Sequence, residues 1–352
     1  MHHAYAVEAN SPEIHDIEVE APEVVGRAVL LRVIRSGVCH TDTHLRDGGY
    51  DLGSRGTMSM ADRGIPYPMV MGHEVVGEVI EVGDEVDDVV VGQRMLVYPW
   101  IGCGDCRECR EGRDNACPKG RNLGVARHGG YAERIWVPDA KYLVDIGELE
   151  PSWTATLACS GITAYSAVDQ VLPLDAHEPV VIIGAGGLGL TAVALLAARG
   201  HEQIVVVDRS ERNLALALEM GATSTVASDE TVAARLKEAL TQPAAAVIDF
   251  VNNGETATLG FDALVKAGLM VQVGLFGGEV TLPNALLSLR MIRIVGSFVG
   301  TLQQMKDLVK IAQTTDLPKI PIIERELRAD QVAASLDDLV AGHVAGRVVL
   351  TA

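Results

Sequence analysis

A chain of 352 residues, 48% hydrophobic and 22% charged, has the make-up of a globular protein of about two domains. Its 47 Asp and Glu against 29 Lys and Arg give a formal charge of −18, which repels phosphate backbones and argues against a nucleic-acid partner. The start, Met1-His2-His3-Ala4 followed by Glu8, Glu13 and Asp16, lacks an export signal, and the most apolar long stretch, residues 180–198, is broken by glycines, so a cytoplasmic protein with no membrane span is expected.

Val29–Ile34, Val75–Val82, Arg94–Val97 and Arg134–Val137 carry the β-branched, turn-bounded pattern of strands, and helical periodicity is scarce over the first 150 residues. From about residue 155 strands alternate with helices. Strand Val180–Ile183 leads to helix Leu188–Arg199, strand Ile204–Val207 to helix Ser210–Met220, with Ser210 as N-cap. Helix Val232–Leu240, strand Ala246–Val251, helix Thr256–Val265 and strands Leu269–Val273 and Met291–Val295 continue the alternation. It predicts a parallel sheet covered on both faces. From about Pro318 mixed strand and helix returns, ending in Arg347–Leu350.

Gly184-Ala185-Gly186-Gly187-Leu188-Gly189 fits G-x-G-x-x-G between the first of these strands and its helix. In that setting Gly184 permits the tight turn, Gly186 lets the backbone approach a pyrophosphate, and Gly189 allows close helix–sheet packing. The free N–H groups and positive end of the helix then face the phosphates. Asp208, 24 residues after Gly184, stands where a carboxylate accepts from ribose hydroxyls and opposes a 2′-phosphate. Arg209 beside it is a counterweight toward NADP. NAD is the expected cofactor.

In a reducing compartment six cysteines read as metal ligands or catalytic groups. Cys103, Cys106, Cys109 and Cys117 form C-x2-C-x2-C-x7-C, which suits a closed tetrahedral zinc site. The run echoes an iron–sulfur pattern, but its last gap is too long for one. Cys39, His73 and Cys159 could supply the three ligands of a catalytic zinc, whereas a buried cysteine is more often a small hydrophobe.

Cys39-x-Thr41-x-x-His44, Gly72-His73-Glu74-x-x-Gly77, the four-cysteine lobe, Cys159-Ser160-Gly161 and the glycine loop occur here in that order. In this the chain resembles the zinc-dependent medium-chain alcohol dehydrogenases over essentially its whole length. Tyr98-Pro99-Trp100, Cys159-Ser160-Gly161-Ile162-Thr163, Asn252-Asn253, Val273-Gly274-Leu275-Phe276-Gly277 and the long segment between His44 and Gly72 are most similar to its archaeal-type tetrameric branch.

The resemblance implies an α/β protein: a mainly β, GroES-like catalytic domain over 1–155 with a zinc lobe at about 98–120, a Rossmann domain over 156–297, and a return to the catalytic domain over 298–352. It implies two zinc ions per chain, a catalytic one on Cys39, His73 and Cys159 and a structural one on the other four cysteines. Thr41 matches the hydroxyl that takes the alcohol proton, and His44 the outer histidine that passes it on. Asp42 matches the carboxylate that orients the zinc histidine, and Glu74 a carboxylate near the metal. His40 and Arg347 match positions near the pyrophosphate, and with Gly184, Gly186, Gly187, Leu188, Gly189, Asp208, Arg209 and Leu275 they complete the expected cofactor site. Trp100, Asn122, Leu275 and Phe298 match the substrate pocket. The branch tends to carry a bulkier aromatic at Asn122 and a smaller aliphatic at Phe298. Residues 45–71, with Met58 and Met60, are expected at the pocket mouth. His2, His3, His15, His128, His177, His201 and His343 read as surface or structural.

The function expected is hydride transfer between NAD and an apolar primary or secondary alcohol, or its aldehyde or ketone, by a homotetramer. Strand Met291–Val295 is expected to extend the sheet across a two-fold axis. Polyol dehydrogenases share these motifs but need a polar pocket. A non-catalytic nucleotide-binding redox sensor would be expected to lose the zinc ligands or the relay, both present here.

Overall fold

The computed structural model describes residues 1–9 and 11–352. Its main elements in chain order include β1 (His2–Val7), β2 (Ile14–Val19), β3 (Val29–Gly37), α1 (His40–Asp47), β4 (Met69–Val70), β5 (Glu74–Val82), β6 (Arg94–Val97), β7 (Arg134–Val137) and β8 (Leu143–Asp145). Then come α2 (Ser160–Val171), β9 (Val180–Ile183), α3 (Gly187–Ala198), β10 (Ile204–Asp208), α4 (Glu211–Glu219), β11 (Ser224–Ala227), β12 (Ala244–Asp249), β13 (Leu264–Gln272) and β14 (Arg293–Gly296). The chain closes with α5 (Leu302–Thr314), β15 (Ile322–Glu326), α6 (Ala329–Val340) and β16 (Arg347–Thr351).

Strands β9 to β14 form a six-stranded parallel sheet in the order β11-β10-β9-β12-β13-β14. Helices Val232–Ala239 and Gly254–Ala263 also cover this sheet. Every residue of β9 and β12 is buried, as helices on both faces require of a parallel sheet. This doubly wound, Rossmann-type order leaves a crevice at the carboxyl ends where it reverses between β9 and β12. Ser210 caps α4 as expected, its hydroxyl accepting from the Asn213 N–H at 3.3 Å. The edge strand starts at Arg293, not Met291, because Met291 has a left-handed φ of 51°.

The N-terminal strands make a second, mainly antiparallel sheet in the order β8-β6-β5-β3-β16-β15, with β7 also on β3, and β2-β1-β4 form a smaller one. The last strand therefore returns beside the first third of the chain. Register fixes what meets there: Gly37 of β3 pairs with Glu74 of β5 on one side and with Val349 of β16 on the other. Cys39, Glu74 and Arg347, distant in sequence, thus lie at adjoining strand ends. One apolar cluster runs from β5 and β6 through Leu157 and Ile162 to Val180 and Leu190, so the two sheets share a core at the base of the cleft.

The glycine turn separates a packing role from a ligand role. A methyl on Gly189 would overlap the Gly184 carbonyl oxygen, whereas one on Gly186 has no neighbour within 4 Å. Gly189→Ala is expected to cost about 1–3 kcal/mol of unfolding free energy, and Gly186→Ala less than about 0.5 kcal/mol. Chemical denaturation of the cofactor-free protein measures both.

Candidate metal centre and nucleotide cleft

Cys39 is the N-cap of α1, and Asp42 at the third helical position turns back to accept from the Cys39 N–H at 2.9 Å. Thr41 is therefore inside the helix and does not cap it. Asp42 has no solvent exposure. It also accepts from the Tyr131 hydroxyl at 2.9 Å and the Gly72 N–H at 3.3 Å, and its Oδ1 lies 3.4 Å from His73 Nδ1.

One donor atom from each of Cys39, His73, Glu74 and Cys159 lies within 4.8 Å of the others, and all four residues are buried. The sulfurs of Cys39 and Cys159 are 3.9 Å apart. Their contact holds the Cys39 thiol well below its ordinary range, and the same contact, with burial and the Cys39 charge, drives Cys159 well above it. Burial opposes a charge on His73, yet Asp42 and then Cys39 hold the ring well above its usual range. Neither ring nitrogen has a well-formed hydrogen bond, and Glu74 Oε2 is also without a partner. Two facing sulfurs that resist a second negative charge, beside an unbonded imidazole, are the donor set a zinc ion satisfies. Glu74 is ion-paired to Arg347 and accepts from the Ser160 N–H at 3.1 Å.

The other four sulfurs, of Cys103, Cys106, Cys109 and Cys117, also lie within 4.8 Å of one another. Backbone N–H groups of residues 105 and 106 pull Cys103 down to about 6, while burial pushes Cys109 up to about 12. Four sulfurs this close, with no fifth donor among the described residues, suit a closed zinc site. The lobe is tied to its surroundings by the Tyr142 hydroxyl on buried Asp114 at 2.8 Å, and by Asn115 donating to the Phe298 carbonyl at 3.1 Å.

Across the cleft, Gly184 turns with a φ of 94°, and Gly187, Leu188 and Gly189 open α3. Asp208 accepts from the Ala185 N–H at 2.6 Å and from the Ser210 N–H at 2.8 Å. Its carboxylate is thereby held at the glycine loop. Arg209 is exposed and makes no ion pair among the described residues. The Arg347 side chain passes over Gly187 while its guanidinium meets Glu74. His40 packs on Phe276 at 5.2 Å between ring centres, and burial lowers its pKa. His44 packs on Tyr50 at 4.5 Å and is likewise lowered by burial. Thr41 Oγ1 is 3.8 Å from Cys39 Sγ.

A cavity of about 440 Å³ opens at the carboxyl ends of β12 and β13, lined among others by Tyr50, Met58, Asn252, Leu275 and Phe298. From the metal set an aromatic wall leads outward: His73 to Trp100 at 5.5 Å, then Trp100 edge-on to Phe298 at 5.5 Å. Leu275 and Phe298 are 43% and 50% exposed, unusual for large apolar groups unless something is to cover them. Residues 45–71 do border the mouth: the hairpin of Gly49–Asp51 and Thr57–Ser59 reaches across, and Ser54 donates to Glu279 at 2.7 Å. Met60, expected at the mouth with Met58, is instead packed in the core. Neither Asn122 nor Trp100 lines this cavity. Trp100 is buried, its indole N–H donating to the Ala158 carbonyl at 3.1 Å. Asn122 sits in a turn, its carbonyl accepting from the Ala126 N–H at 2.8 Å. Of the remaining histidines, His2 and His201 are buried, the latter bonded to the Glu178 carbonyl at 2.8 Å. Tyr131, Tyr50 and Asn115 were not anticipated from sequence, because their contacts are long-range and no local motif marks them.

Residues 26–148 match the family described as alcohol dehydrogenase GroES-like domain, and residues 187–314 the family described as zinc-binding dehydrogenase. The chain is 37% identical to an NAD-dependent alcohol dehydrogenase of Sulfolobus acidocaldarius, over 95% of this chain and 94% of that one. It is 32% identical to a D-arabinose 1-dehydrogenase (NADP+) of Saccharolobus solfataricus, over 95% and 93%. Its structure is similar to the crystal structure of the alcohol dehydrogenase from Aeropyrum pernix, with a TM-score of 0.88, 28% identity and full coverage of both chains.

Tyr131→Phe removes one of the bonds that fix Asp42 and leaves the ring. Zinc affinity at the Cys39 set, read by chelator competition, is expected to fall about tenfold or more, the usual cost of losing a partner behind a ligand. Metal at the four-cysteine lobe should be unaffected.

Proposed function

Since the chain belongs to the zinc-binding alcohol dehydrogenases with a GroES-like domain, we propose that this oxidoreductase uses NAD to interconvert an apolar primary or secondary alcohol and its aldehyde or ketone. One observation carries the reading: the Cys39, His73 and Cys159 donors meet at the cleft into which the glycine loop also opens. We assign residues 1–155 and 298–352 to the catalytic unit and 156–297 to the nucleotide-binding unit.

Zinc on Cys39, His73 and Cys159 would supply a Lewis acid for the substrate oxygen, and NAD the hydride acceptor. The chain does the rest. Asp42 fixes the His73 ring so that its other nitrogen faces the two sulfurs. Thr41, next to Cys39, can accept a proton from the alcohol hydroxyl and donate its own onward. His44, kept neutral by burial, is ready to accept it near neutral pH. Its shift lies below the ordinary value, so the relay is open above that lowered pKa and closes as pH falls through it. His40 is proposed as a donor for the phosphates, and Arg347, its stem on Gly187 and its guanidinium held by Glu74, as the charge beneath them. Leu275 and Phe298, with Trp100 packed behind Phe298, exclude water around the reacting carbon and favour apolar substrates.

Asp208 at the glycine loop favours NAD over NADP, and Arg209 opposes it only weakly from solvent. The edge strand β14, with exposed Leu289 and Met291 beside it, suits sheet extension across a two-fold axis, and the assembly is read as a tetramer of two such dimers. No helix among the described residues is long and apolar enough to cross a membrane. The partners are small molecules and copies of this chain, and a cytoplasmic setting fits the reduced cysteines.

The reading is tested by an NADH-coupled screen of the zinc-loaded enzyme across primary alcohols, secondary alcohols, aryl ketones and polyols. Apolar alcohols and ketones should lead, and a preference for polyols would overturn the pocket assignment. Thr41→Val should nearly abolish oxidation with zinc content unchanged, and His44→Gln should cut it less while flattening the acid limb of the pH profile. Wild-type kcat in Thr41→Val excludes the relay. Asp208→Gly should raise kcat/KM with NADP relative to NAD, with the ratio as readout because the loop also loses its Ala185 N–H bond to Asp208, which affects both cofactors. Light scattering should return the mass of four chains, and a monomer mass contradicts both interfaces.

A further inference from the structure

A second cavity, about 580 Å³, lies away from the cleft between the β2-β1-β4 sheet and the segment 121–136. Its accessible apolar lining is Val19, Pro22, Pro66, Tyr67 and Pro68, backed by the buried Met69, Val70, Leu123 and Ile135. Around it stand Arg121, Arg127 and Arg134, with Glu20 as the sole carboxylate in the lining. In a chain with a net charge of −18, three arginines that form no ion pair among the described residues are a local excess. They also act on their neighbours. Burial and then the Arg121 charge lower Arg127, and burial and then Arg134 lower His2. The guanidinium of Arg127 lies over the Trp136 ring at 5.7 Å, and the Trp136 indole N–H is buried without a partner. Unneutralised cations over an apolar lining, with an idle donor beside them, match an organic anion: the charge meets the guanidiniums and the body meets the lining.

We infer that this cavity is a binding site for a small organic carboxylate with an apolar or aromatic body, separate from the active site. Its wall is also the back of the metal centre. The Gly129 N–H donates to the Val70 carbonyl at 2.8 Å, Gly130 to Gly72 at 2.7 Å and Tyr131 to Met71 at 3.0 Å. A ligand in this cavity therefore sits beside the strand that leads into His73 and beside the segment that leads into Tyr131.

The probe is benzoate, titrated by calorimetry into the zinc-loaded, NADH-saturated enzyme so that the cofactor's own anion site is filled. Wild type should bind one benzoate per chain. Arg127→Gln and Arg134→Gln should each weaken it about tenfold, the worth of one charge-assisted hydrogen bond. Arg127→Lys, which keeps the charge, should recover part of the affinity, and kcat without benzoate should be unchanged in all three. No heat with wild type at millimolar benzoate overturns the site. So does affinity that survives in the Arg127→Gln, Arg134→Gln double variant, which would place benzoate elsewhere. A double variant that changes mass in light scattering while wild type takes up no benzoate overturns it in favour of a contact between chains.

Discussion

A fully buried carboxylate has to be met from all sides, and Asp42 is met by three segments at once. The Cys39 N–H comes from the start of its own helix, the Gly72 N–H from the turn before β5, and the Tyr131 hydroxyl from the stretch before β7. Losing one of these leaves part of a buried charge unsatisfied, at a cost of about 1–3 kcal/mol. The same contacts bring Cys39 and His73 to one point, so the ligands are placed by a protein carboxylate before any metal is considered. Cys159 then arrives from the other side, where the chain turns into α2.

Around this point the buried charges are unbalanced. Arg347 pairs with Glu74, but Asp42 and an ionised Cys39 remain, and His73 is drawn toward the charged form to answer them. A divalent cation resolves this more economically than protonation, since it lets both sulfurs ionise together. Arg347 carries the arrangement across the cleft: its guanidinium is at the metal end and its stem covers the glycine turn. Asn115 couples the four-cysteine lobe to the Phe298 carbonyl. Lobe order therefore bears on the position of Phe298 at the cavity.

The residues that the fold gathers into the two clusters were legible in the sequence because each set lies in short motifs. Cys39 to His44, Gly72 to Glu74, the four-cysteine run and the glycine loop are each short, and each is shaped by one helix start or one turn. The buried strands β9, β10 and β12 were equally plain, as continuous apolar runs between glycine and cap signals. Elements with weaker patterns were not resolved. β1 and β2 alternate too loosely, with His2, His3 and His15 among their residues. α5 and α6 were left within mixed structure, although Thr301 and Gln304 form a capping box. Tertiary pairings were beyond reach. Nothing near Tyr131 or Glu74 in sequence shows that they face Asp42 and Arg347, because strand register between β3, β5 and β16 decides it. Asn122 shows the opposite limit: its position in the family pattern suggests a pocket residue, yet its carbonyl serves a turn.

The central claim is that two zinc sites share one chain and only one of them does chemistry. Elemental analysis with turnover, on wild type, Cys39→Ser and Cys106→Ser, tests it most directly. The account predicts two zinc ions per chain in wild type, near-zero turnover with the lobe zinc and the fold kept in Cys39→Ser, and chiefly a lower melting temperature in Cys106→Ser. A single metal per chain, iron with visible charge-transfer bands, or equal loss of folding in both variants would contradict it.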